Sequence, residues 1–113
     1  FNIITISLFN NNLNEYDFIL LKQGYLYLNN NNLTEITFKI ENFKTTSFIN
    51  LNQNNIEKIA NDMFSKGFFL KYLYLSTNKI YEVNKDSFIN LKLLLELDLS
   101  SNLLNDLHYD TFK

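Results

Sequence analysis

Glu96 and Asp98 stand two apart in the run Leu95-Glu96-Leu97-Asp98-Leu99, a spacing that puts both carboxylates on one face of an extended strand. Such a pair can divide acid and base work or hold a cation, provided a third group completes the set. None is in reach. The chain has no cysteine, and its single histidine, His108, follows Leu107 in a turn with no partner placed for it. No serine is set with a base and an orienting group, and Gly24 and Gly67 stand alone, so neither an acyl-transfer triad nor a phosphate-cradling loop is present. The two carboxylates therefore read as a solvated acidic edge. No catalytic residue, metal ligand or cofactor is assigned, and the chain is not expected to be an enzyme.

The same two-residue spacing recurs with aromatic side chains at Tyr25 and Tyr27 and at Tyr72 and Tyr74. Tyrosine offers area, few rotamers and a hydroxyl, the properties that concentrate it in binding hot spots. The chemistry open to these residues is recognition, and its geometry depends on what holds them.

What holds them is a repeat. The run Leu70-x-x-Leu73-x-Leu75-x-x-Asn78-x-Ile80-x-x-Val83 returns twenty-four residues later as Leu94-x-x-Leu97-x-Leu99-x-x-Asn102-x-Leu104-x-x-Leu107. Earlier versions run through Ile6, Leu8 and Asn11, through Leu26, Leu28 and Asn31, and through Ile49, Leu51 and Asn54, with Gln23 and Thr46 in place of the first aliphatic residue. A self-similar period of this size marks stacked units rather than one central core. Residues 1–113 are thus expected to form a single solenoid of about five coils, a fragment lacking both caps and so prone to aggregate.

Alternation around each aliphatic pair gives a short strand whose leucines point inward, which frees the intervening side chains. The outward slots are Thr5, Ser7, Phe9; Tyr25, Tyr27, Asn29; Phe48, Asn50, Asn52; Tyr72, Tyr74, Ser76; and Glu96, Asp98, Ser100. Six of these fifteen are aromatic, roughly twice the expectation from the chain's 16% aromatic content, which favours a contact surface over chance. Tyr25, Phe48 and Tyr72 should make one row, flanked by Tyr27 and Tyr74, with Asn50 between them and Glu96 and Asp98 at one end. After each strand the chain must turn, and an amide with two donors and an acceptor can bridge the turn's stranded backbone groups to the next coil. Asn11, Asn31, Asn54, Asn78 and Asn102 are the expected ladder. Phe64, Phe88 and Phe112, each ten residues beyond its asparagine, are the expected ring spine of the return side.

This grammar resembles the leucine-rich repeat family, and the last two coils resemble its twenty-four-residue extracellular type. The resemblance implies an α/β-type repeat solenoid: a curved, right-handed coil with a short-stranded parallel sheet on its concave face and a mostly irregular, turn-rich convex side. It further implies a protein-binding module of the kind found in Toll-like receptors, chaoptin-like adhesion proteins and axon-guidance ectodomains, with keywords of receptor, adhesion and signalling, and a cell-surface or secreted location. The alternative is an intracellular scaffold or enzyme-regulating adaptor in the cytoplasm, a reading the absence of cysteine favours.

Composition narrows the partners. The formal charge is −2, all ten cations are lysine, and no lysine falls in the outward slots. Nucleic-acid binding, which needs a basic stripe, is not expected. No apolar run is long enough to span a bilayer, so no membrane insertion is expected within this segment; oligomeric state is left open. Asn32-Leu33-Thr34 fits a glycosylation acceptor, but in so asparagine-rich a chain the match carries no weight.

Overall fold

In the computed structural model, residues 5–8, 10–12, 24–34 and 46–112 are described. The expectations that fall on Phe9, Gln23 and the return segments around residues 13–23 and 35–45 lie outside them.

Short runs of aliphatic residues alternating with polar or aromatic ones make three-residue strands. These are β1 (Thr5–Ser7), β2 (Tyr25–Tyr27), β3 (Phe48–Asn50), β5 (Tyr72–Tyr74) and β7 (Glu96–Asp98), with two-residue strands β4 (Lys58–Ile59) and β6 (Glu82–Val83) between them. The five longer strands form one parallel sheet in the order β1-β2-β3-β5-β7. Each strand pairs with its successor in the same register, so that Ile6, Leu26, Ile49, Leu73 and Leu97 lie across the middle of the sheet. A three-residue strand is too short to be stable alone. Its stability comes from stacking and from the apolar layer behind it.

That layer is continuous. Leu26, Leu28, Leu33, Ile49, Leu51, Ile56, Ile59, Phe64, Leu70, Leu73, Leu75 and Ile80 are all at most 1% exposed. In the last coil the equivalent Leu97, Leu99 and Leu104 are only half-buried, packing against the core from one side.

The turn after each strand depends on one backbone feature that residue type does not announce. Asn10, Asn30, Gln53, Thr77 and Ser101 all have positive φ, between 53° and 62°, and each directly precedes a ladder asparagine. This conformation swings the N–H toward the following coil: Asn30 N–H donates to Asn52 O (2.9 Å), Gln53 N–H to Ser76 O (3.0 Å) and Thr77 N–H to Ser100 O (3.0 Å). A β-branched residue tolerates the left-handed region worst. Thr77→Asn, which installs the residue that the first two coils already use at this slot, should therefore raise stability by about 1 kcal/mol. The urea midpoint at unchanged m-value measures it, and no upward shift would show that Thr77 is unstrained.

The far side of the coils is less irregular than the sequence suggests. β4 and β6 pair in parallel, Lys58 with Glu82 and Ile59 with Val83. Consecutive turns then carry the chain back, with Gly67 N–H on Phe64 O and Leu70 N–H on Gly67 O in one coil and Leu91 N–H on Phe88 O and Leu94 N–H on Leu91 O in the next. Gly67 departs from the aliphatic residue found at this slot because Leu91 of the next coil already fills the space: a β-carbon at Gly67 would lie 2.8 Å from Leu91 Cδ2.

Candidate functional site

The outer face of the five-stranded sheet is assembled by register alone. Thr5, Tyr25, Phe48, Tyr72 and Glu96 occupy one line across the strands, and Ser7, Tyr27, Asn50, Tyr74 and Asp98 the other. In β2, β3 and β5 the outer residues are half-buried around a fully buried central one.

Phe48 is the hub. Its ring centroid lies 6.0 Å from that of Tyr25 (edge-on) and 6.3 Å from that of Tyr72, its partners in register. It lies closer still to the diagonal rings, 4.9 Å from Tyr27 and 5.3 Å from Tyr74. The sequence suggests a row with two flanking rings. The structure has a cluster with phenylalanine at its centre, because rings are long enough to bridge diagonal positions that smaller side chains cannot. The tilted and edge-on contacts pre-order the four tyrosines around an apolar middle.

Polar groups frame this cluster. Asn50 Oδ1 accepts the Asn52 N–H at 3.0 Å, and Asn52 Oδ1 accepts the Ser76 N–H at 2.7 Å. Asp98 closes the equivalent turn in the last strand: its Oδ1 accepts the Ser100 hydroxyl at 2.6 Å and the Ser100 N–H at 2.9 Å. Those two bonds hold its carboxyl below the usual carboxylate value. Tyr74 is shifted the other way. Burial among its neighbours comes first, and the Glu96 carboxylate beside it adds to the effect, together raising its phenol above the ordinary value. Glu96 itself is exposed. The face thus runs from rings to carboxylates, with its negative charge at one end.

Behind the face, the ladder asparagines tie coil to coil. Asn54 Nδ2 donates to Leu28 O and Leu51 O, both at 3.0 Å, while its Oδ1 accepts the Leu33 N–H at 3.1 Å. Asn78 repeats this with Leu51 O, Leu75 O and the Ile56 N–H, and Asn102 with Leu75 O, Leu99 O and the Ile80 N–H. Asn31 donates to Leu8 O and Leu28 O. Asn11 is exposed and donates to Leu8 O within its own coil. On the return side Phe64 stacks on Phe88 with centroids 6.1 Å apart, and Phe88 on Phe112 at 5.8 Å. Phe112, the last ring, is 59% exposed.

His108 makes only local contacts of note: its Nδ1 accepts the Asp110 N–H at 3.2 Å and its ring stacks on Tyr109. Among the described residues there is no cluster of three or more His, Cys, Asp or Glu side chains that could hold a metal, and no helix long and apolar enough to cross a membrane. One surface escaped sequence reasoning altogether. Phe68 and Phe69, in the loop leading into β5, are 49% and 54% exposed; the only available signal was an aromatic pair in a slot where the repeat demands no apolar residue.

Comparison with curated proteins and with solved structures gives no match. Residues 69–113, which carry β5 to β7, Asn78, Asn102, Phe88 and Phe112, match the model of the family described as leucine rich repeat, and that match supports a leucine-rich repeat architecture, one whose domains generally mediate protein–protein interaction.

Proposed function

We propose that this chain is a protein-recognition module of the twenty-four-residue extracellular leucine-rich repeat type, part of a cell-surface or secreted receptor or adhesion ectodomain that binds a protein through the outer face of its parallel sheet. The observation that carries the reading is the ring cluster: four tyrosines ordered by Phe48 on a face that the fold leaves open. Pre-ordered rings lose little entropy on contact and bury a large area, so they act as anchors. Glu96 and Asp98 at the end of the face fit a partner whose contacting segment carries lysine or arginine there, which steers encounter more than it adds affinity.

The test is a binding measurement with the partner captured by the extracellular surface of cells from the same source. Tyr72→Ala with Tyr74→Ala should weaken binding by at least about tenfold while changing stability by less than about 1 kcal/mol, since half-buried face residues carry little of the core's energy. Unchanged affinity would remove this face from the interface. Glu96→Gln with Asp98→Asn should slow association and flatten its salt dependence, leaving dissociation nearly untouched.

A further inference from the structure

A second surface lies on the flank of the solenoid, where the chain climbs from the return turns into β5 and β7. The two loops are built alike. Leu70 N–H bonds to Gly67 O in one and Leu94 N–H to Leu91 O in the other, and Leu95 N–H joins them by donating to Lys71 O at 2.8 Å. Leu91 seals the gap over Gly67. Residues twenty-four apart are therefore neighbours: Phe68 beside Lys92, Phe69 beside Leu93, Lys71 beside Leu95. Phe68, Phe69, Leu93 and Leu95 are 49%, 54%, 45% and 71% exposed, and Lys66, Lys71 and Lys92 are exposed among them.

The composition of this flank differs from that of the rest of the molecule. From Lys66 to Lys71 and from Leu91 to Leu95 there is no acidic residue, no tyrosine and no asparagine, in a chain where all three are common. Protein interfaces concentrate tyrosine and arginine and are poor in lysine, as on the sheet face of this chain. Phenylalanine and leucine set among lysines are instead the equipment of a surface that lies on a bilayer: the apolar side chains enter the headgroup boundary while the ammonium groups meet phosphates. The apolar groups here stand out from loops rather than line a groove, which suits a fluid surface and offers a folded partner nothing to fill.

We propose that this flank docks on an anionic lipid surface, with Phe68, Phe69, Leu93 and Leu95 at the headgroup level and Lys66, Lys71 and Lys92 on lipid phosphates, without any membrane-spanning segment. The ring-bearing sheet face is left clear of the lipid, so membrane docking and partner binding are separable.

Co-sedimentation of the 113-residue chain with vesicles tests this. Vesicles containing phosphatidylserine should bind the chain about tenfold or more tightly than pure phosphatidylcholine vesicles, with the preference falling as salt rises. Changing Lys66, Lys71 and Lys92 to Gln should abolish the preference, and Phe68→Ser with Phe69→Ser should reduce binding to both compositions, circular dichroism showing each variant folded. Tyr72→Ala with Tyr74→Ala should leave vesicle binding unchanged, so failure of the sheet-face reading does not touch this one. Equal binding to both lipids, or binding indifferent to the lysine and phenylalanine changes, overturns the proposal. So does a vesicle-inert chain whose self-association in the ultracentrifuge is lost in the Phe68→Ser, Phe69→Ser variant, which would make the flank an interface between copies.

Discussion

Phe64→Ala should cost about 3–5 kcal/mol of stability, the range for truncating a fully enclosed aromatic ring. Phe64 is 0% exposed and stacks on Phe88 at an interplanar angle of 19°. Its removal opens a void between coils that flanking aliphatic side chains, held in register by the strands, cannot close, so the transfer and cavity terms add. The same change at Phe112 is the internal control. That ring stacks on Phe88 at 8° but is 59% exposed, so its loss removes one stacking contact and part of a buried surface, about 1 kcal/mol. Urea unfolding of the two variants decides the matter: equal costs would mean that the rings contribute as independent surface groups and not as a spine.

Asn78→Ala should cost about 3 kcal/mol by a different route. The side chain leaves no large void, but it takes donors from Leu51 O and Leu75 O and an acceptor from the Ile56 N–H, at 3.0–3.1 Å. Ile56 and Leu51 are both 0% exposed, so water cannot take over, and each stranded buried group costs on the order of 1–3 kcal/mol, shared in part by local relaxation. Hydrogen exchange gives the discriminating readout: the Ile56 amide should lose protection more than the strand amides do. Uniform loss across the coil would mean that Asn78 acts on the whole repeat and not through these particular groups. Asn78→Asp, isosteric but without the NH2 donors, should fare no better, since it puts an acceptor against two carbonyls.

These two predictions draw on features of differing visibility in the sequence. That Leu73 and Leu75 face the core while Tyr72 and Tyr74 face out follows from alternation on a strand, and the buried and half-buried pattern of β5 has this form. The ladder asparagines are visible because one residue type recurs at one slot and only an amide supplies two donors and an acceptor there. The left-handed turn residues are not, because Asn10, Asn30, Gln53, Thr77 and Ser101 share no side-chain chemistry; the slot is defined by where its N–H must point, toward a coil that exists only once the chain is folded. Gly67 looks like a defect in the repeat until Leu91 is found lying over it. The pairing of β4 with β6 is likewise settled between coils, by the registry of Lys58 and Ile59 against Glu82 and Val83, and is too short to leave a periodic trace.

The ring cluster shows the same division. Period and alternation, which are properties of a single strand, place Tyr25, Tyr27, Phe48, Tyr72 and Tyr74 on one face before any neighbour is considered. That Phe48 sits at the centre and meets the diagonal rings most closely depends on the stacking of three strands and on rotamers chosen in company, which no one-dimensional pattern encodes. The exposed flank of Phe68 and Phe69 beside Lys92 and Leu93 is further still from the linear order, since its parts lie twenty-four residues apart and meet only when one coil settles on the next. Local periodicity is legible wherever a residue's direction is set by its own backbone; which side chains then become neighbours is decided by packing, because contact is a property of pairs.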